Sequence, residues 1–81
     1  MSIDINTPES LGQAVRGARK QLGLTQPQLA LVANVGVRFI VDLEAGKPTL
    51  RLENILRVLN TLGGVLQVEG LPTSGEVAEV A

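Results

Sequence analysis

The chain contains no cysteine, histidine, tryptophan or tyrosine, and Phe39 is its one aromatic residue. Without cysteine there are no disulfide staples and no thiol catalysis, and without histidine as well an ordinary structural zinc site is excluded. Also missing are a glycine-rich phosphate loop and a recognisable pair of catalytic carboxylates, so no enzyme, cofactor or metal is expected. The longest apolar run is Leu29–Ala33, far short of the roughly 18 residues that would span a membrane. The start, Met1-Ser2-Ile3-Asp4, has neither the basic nor the apolar region of a secretory signal. A cytoplasmic location with no membrane partner is the expectation. A core built without aromatics must be aliphatic, and Leu, Val, Ile and Ala suit helices. Eighty-one residues make one small domain with a thin core, which often gains stability by dimerising.

The formal net charge of −1 is the wrong sign for a polyanion partner, but its distribution is not. Arg16, Arg19, Lys20, Arg38, Lys47, Arg51 and Arg57 all lie in the central stretch, against Asp42, Glu44 and Glu53. That stretch carries an excess of four positive charges, and a local basic face matters more for phosphate contact than the whole-chain charge.

Residues 1–6 are polar and are expected to be loose. Thr7-Pro8-Glu9 has a capping side chain, a proline suited to the first turn and an acid that complements the helix dipole. A helix over about 8–22 follows, with Leu11, Val15, Ala18 and Leu22 on one face and Gly23 ending it. Thr25-Gln26-Pro27-Gln28 is a capping box that opens a second helix over about 26–33, with Leu29, Ala30 and Ala33 inward. Asn34 is able to turn left-handed, and Gly36 precedes a third helix over about 37–45 with Ile40 and Leu43 inward. A fourth, over about 51–62, carries Leu52, Ile55, Leu56, Leu59 and Leu62 and is broken by Gly63-Gly64. Residues 65–69 alternate as a strand does, with no second strand to pair with. Residues 70–81 read as an acidic disordered tail.

The second and third helices carry the pattern of a helix-turn-helix over about Gln26–Ala45. Ala30 is small where the helices approach, Asn34 supplies the turn, and Leu29, Ala33, Val35, Ile40 and Leu43 fill the gap between them. This motif enters the major groove through the start of its second helix. The stretch Leu11–Gly63, including LGLTQPQLA at 22–30, resembles the Xre or Cro/C1-type helix-turn-helix family. The run VGVRFIVDLEAGKPTLRLENILRVLNTLG at 35–63 is similar, more narrowly, to HipB-like antitoxins. Two departures are Asn34, where the family more often has glycine, and Val41, on a face where polar side chains are common. The resemblance implies an all-α, four-helix, lambda-repressor-like domain over residues 7–64, followed by a short strand at 65–69 that pairs across a dimer. It also implies an architectural ion pair between Arg19 and Glu44, joining the first helix to the end of the third.

With the third helix in the groove, Val37, Arg38, Val41 and Asp42 face the bases by spacing. Arg38 is suited to a two-bond grip on guanine O6 and N7, and the valines to a thymine methyl. Asp42 has three open readings: accepting from a cytosine amine, repelling phosphate, or orienting Arg38. Phe39 reads as core. Phosphates are assigned to Gln26 with the exposed N–H groups of its helix start, and to Lys47, Thr49 and Arg51. Val65, Leu66 and Val68 are the candidate dimerisation residues. The leading functional reading is an antitoxin that represses its own operon from a palindromic operator and binds a HipA-like kinase toxin. A stand-alone repressor, and an interaction module that has lost DNA binding, remain as alternatives.

Overall fold

Capping side chains fix where each of the first two helices begins. In the computed structural model, which describes residues 2–72, Thr7 accepts from the Ser10 N–H at 3.0 Å while the Ser10 hydroxyl accepts from the Thr7 N–H at 3.1 Å. This reciprocal box opens α1 (Pro8–Gln21), with Pro8 in the first turn. Thr25 and Gln28 form a second box at the start of α2 (Gln26–Ala33). Each box satisfies two backbone donors that a helix start otherwise leaves to water, worth about 1 kcal/mol per cap. Gly36 leads into α3 (Val37–Glu44), and Arg51 precedes α4 (Leu52–Thr61). The third and fourth helices are thus slightly shorter than the sequence spacing implies, because Ala45 and Leu62 are caps and Arg51 lies outside the helix.

All four helices end the same way. A left-handed residue (Gly23, Asn34, Gly46 and Gly63) turns the chain back, and the next N–H donates to a carbonyl in the last turn, as Leu24 does to Arg19 and Val35 to Ala30. Asn34, at φ 60° and ψ 46°, does between α2 and α3 what glycine does at the other three ends.

α3 packs against both α1 and α2, and α2 packs against α4. Val15, Leu29, Ala30, Ala33, Ile40, Leu43 and Val58 form the buried core, with Leu11, Leu24, Val35, Phe39, Leu50, Ile55, Leu59 and Leu62 around it. The turn-flanking apolar residues therefore fill the gap between α2 and α3, and Phe39 belongs to the packing. Three side chains differ from the periodicity. Leu22 is 56% exposed because it caps α1 instead of continuing its face, and Leu24, beyond the turn, packs on the core in its place. On α4 the fully buried residue is Val58, while Leu52 and Leu56 are exposed. At about 100° per residue, Val58, Ile55 and Leu62 occupy the inward arc, and Leu52 and Leu56 lie past its far edge.

α1 and α3 approach each other closely at Gly12. A Cβ added at Gly12 would lie 2.4 Å from the Leu43 carbonyl oxygen and 2.8 Å from that of Glu44. Gly46 extends this contact: it is left-handed at φ +85°, and its own Cβ position is filled by Glu9, with Cγ at 2.9 Å and Cα at 3.0 Å. The end of α3 is therefore pressed backbone to backbone onto the start of α1.

At the N-terminus, residues 2–6 carry no helix or strand, though the Asn6 N–H donates to Ser10 Oγ at 3.1 Å. Among the described residues there is no strand. Residues 65–69 have no backbone partner among the described residues, and Val65, Leu66 and Val68 are exposed. Of the acidic tail expected at 70–81, residues 73–81 lie outside the described residues.

Candidate nucleic-acid interface

α3 buries Ile40 and Leu43 and turns its other side to solvent. Val37, Val41, Arg38 and Asp42 lie, in that angular order, along one arc of about 140° at 100° per residue. The four candidate base-reading positions thus share a face, but not equally. Val37 is exposed and Arg38 more so, its side chain 84% accessible. Val41 and Asp42 are half-buried. Val41 lines a shallow cleft with Arg16, Arg19, Gln26, Glu44 and Ala45, so it stands at the junction of α3 with α1 and the start of α2.

Asp42 is paired within its own chain. One carboxylate oxygen lies 3.2 Å from Arg38 Nε and the other 3.7 Å from Lys47 Nζ. The Lys47 N–H also donates to the Asp42 carbonyl at 3.0 Å, part of the turn that ends α3. Thr49 and Arg51 follow, both exposed. Lys47, Thr49 and Arg51 therefore occupy the connection that leaves the end of α3.

Arg19 and Glu44 meet at the base of the cleft. Arg19 Nε donates to one Glu44 oxygen at 2.6 Å and Nη2 to the other at 2.9 Å, while Nη1 donates to the Leu24 carbonyl at 2.8 Å. The side chains are 10% and 5% exposed. The fork-to-fork geometry satisfies both carboxylate oxygens, which a buried charge requires. The hydrogen bonds to Glu44 raise the guanidinium above its ordinary range; burial opposes this, and the Glu44 charge reinforces it. The Arg19 guanidinium is charged at any working pH.

Gln26 joins this pair. Its side-chain amide donates to Glu44 Oε1 at 3.2 Å, so the residue assigned to phosphate has its side chain turned into the architecture. The start of α2 also offers fewer free donors than expected. Pro27 has none, the Gln28 N–H is taken by Thr25 and the Leu29 N–H by the Thr25 carbonyl, which leaves the Gln26 N–H.

Two further side chains bear on the site without a signal in the sequence spacing. Arg16 lines the cleft and is exposed. Arg57 reaches back from α4 to donate to the Asn34 carbonyl at 3.3 Å, a cation at the carboxyl end of α2, where the helix dipole favours one. Arg19 thus serves packing and Arg57 caps the end of α2 while staying exposed, and the remaining outward basic character comes from Arg16, Lys20, Arg38, Lys47 and Arg51. Among the described residues there is no cluster of three or more acidic, His or Cys side chains that would hold a metal, and no helix is long and apolar enough to cross a membrane.

Comparison with known proteins places this geometry in context. Residues 15–65 match the family HTH_3, described as Helix-turn-helix. Over 63 residues, 78% of this chain and 83% of the relative, the sequence is 56% identical to an uncharacterized HTH-type transcriptional regulator, y4mF, of Sinorhizobium fredii. Among solved structures, the chain is similar to one titled as a HipB-O4 20mer complex, with a TM-score of 0.78 and 22% identity over 88% of this chain and all of that one. It is similar to a second, titled as a HipA-HipB-O2-O3 complex, with a TM-score of 0.77 at the same identity and coverage. The clp gene regulator ClgR from C. glutamicum matches with a TM-score of 0.67 and 27% identity over 82% of this chain and 85% of that one.

Proposed function

Because the chain belongs to the Xre-type helix-turn-helix family of transcriptional regulators, we propose that it represses transcription as a homodimer on a palindromic operator and serves as the antitoxin of a type II pair, controlling its own operon and neutralising a HipA-like kinase. The observation that carries the DNA reading is the exposed arc of α3, where Arg38 projects into solvent beside Val37 with Lys47 behind it. Arg38 reads a base edge, and Val37 and Val41 meet methyl groups. Asp42 lies beside them on the same face, with both oxygens facing cations of its own chain. Lys47, Thr49, Arg51 and the Gln26 N–H contact phosphates, which position the protein without selecting sequence.

Val65, Leu66 and Val68 pair with the same segment of a second copy, and that contact sets the distance between the two copies of α3 to match half-sites about one helical turn apart. The antitoxin reading rests on the similarity of residues 35–63 to HipB-like sequences and on the shared fold. A repressor without a toxin is the second reading, favoured by the name of the S. fredii relative, which mentions regulation alone.

The test has two arms. Selection from random duplexes should yield a preferred site. On it, Arg38→Ala should lose about 1–3 kcal/mol at one base pair, whereas Lys47→Ala should weaken all sequences alike and lower the salt slope by about one. Unchanged affinity of Arg38→Ala for the selected site would remove Arg38 from the readout. Co-purification from native cells should bring down a kinase-like partner; recovery of DNA alone favours the repressor.

A further inference from the structure

Asp42 is an acid on a face that should avoid acids. A carboxylate beside phosphodiesters weakens attachment to every sequence, so its presence calls for a compensating role. A direct contact with a cytosine amine needs an outward-facing oxygen. The Asp42 side chain is only 17% exposed, with one oxygen 3.2 Å from Arg38 Nε and the other 3.7 Å from Lys47 Nζ. Its backbone is fixed as well, in the last turn of α3 and through the Lys47 N–H. Arg38, one turn earlier, is anchored at nothing else among the described residues.

The atom of Arg38 that Asp42 engages is informative. A guanidinium held through Nε still has both terminal nitrogens free, and these form a fork that fits guanine O6 and N7. An exposed ion pair adds little to fold stability. Its larger effect is on an arginine that would otherwise lose much rotamer freedom on reaching a base.

We propose that Asp42 is a specificity-determining positioning residue, which touches no base and aims Arg38 at the groove and Lys47 at the backbone from one shared carboxylate. The proposal rests on the DNA-binding reading above and deepens it.

Wild type, Asp42→Asn, Arg38→Ala and the double variant are titrated with the duplex that the wild type selects from a random pool, with each of its single-base-pair variants, and with mixed-sequence duplex. Each affinity is expressed as a ratio to that for mixed-sequence duplex, so a partly unfolded variant gives the same ratio as a fully folded one. Asp42→Asn should bind mixed-sequence duplex more tightly, because a negative charge is gone. It should also lose about tenfold discrimination at the base pair where Arg38→Ala loses it. In the Arg38→Ala background the same change should leave the base-pair profile unaltered. A wild-type profile in Asp42→Asn overturns the proposal, as does a changed profile in the double variant, which would make Asp42 a direct reader. If the wild type prefers no duplex, the DNA-binding reading fails with it, and that outcome shows before any variant is compared.

Discussion

The two sides of this small domain are finished differently. Between α1 and α3 the closure is complete within one chain: backbone touches backbone at Gly12 and Gly46, and the buried charges of Arg19 and Glu44 partner each other, with the Leu24 carbonyl taking the remaining arm of Arg19. Around α4 and the segment after it, Leu52, Leu56, Val65, Leu66, Val68 and Leu71 are all exposed. A unit of this size has little apolar surface to spare. Placing the tight packing behind α3 gives the candidate reading face a fixed base, and part of the exposed apolar surface stands where a second copy is proposed to cover it.

The largest blow to the closed side should come from Glu44→Ala. It leaves the Arg19 guanidinium buried without its carboxylate, and breaking such a pair from one side costs about 3–5 kcal/mol. For a domain of this length that lowers Tm by at least about 10 °C; a melting curve that overlays wild type would show the pair contributes nothing. Since the guanidinium is raised, its contribution is present below its unfolded value and is lost only as pH climbs through the folded one. The neutral range should therefore show no Arg19-linked slope.

A sharper test compares two glycines of the same helix. Alanine favours a helix interior over glycine by about 1 kcal/mol. Gly17 has nothing within 4 Å of an added Cβ, whereas Gly12 faces two carbonyl oxygens that cannot rotate aside. Gly12→Ala should destabilise by about 1–3 kcal/mol, and Gly17→Ala should stabilise by about 0.5–1 kcal/mol. Denaturant titration of both gives opposite signs if the backbone contact is as close as the structure has it; two stabilised variants would refute that contact.

On the open side, the double change Leu66→Asp and Val68→Asp should move the folding of the single unit by no more than about 0.5 kcal/mol, yet should abolish association in sedimentation. A tight dimer that survives the change would place the interface elsewhere.

What could be read in advance follows the same division. α2 and the turn into α3 are specified by local chemistry (Thr25 with Gln28, then Asn34 and Gly36), and their bounds follow from the residues alone. The lateral contacts are not local. The five apolar residues of α4, with Leu62 at its cap, make a stripe wider than the groove it meets, so periodicity identified the stripe but not that its Val58 edge would be buried and its Leu52 and Leu56 edge wet. Gly12 looks like any helical glycine until Leu43 and Glu44, some thirty positions on, are brought against it. Gln26 carried no sign of an attachment to Glu44, and Arg57 none of one to Asn34. The arc of Val37, Arg38, Val41 and Asp42 was legible because helical geometry alone places those four together. How far each stands clear of its neighbours depends on α1 and α2.

The contact at Gly12 also bears on time. Because α3 meets α1 through main-chain atoms at Gly12, no side chain can rotate there to let it tilt or slip, and its hydrogen-bonded amides are released to solvent only when the two helices separate. The hydrogen-bonded amides of α1 and α3, with those of Ala45, Gly46 and Lys47 that close the turn, should exchange hydrogen only on global unfolding. Those of residues 65–69, which have no backbone partner among the described residues, should exchange at once. α3 therefore meets any duplex already in its final shape, whereas residues 65–69, without a backbone partner among the described residues, are left to order on assembly.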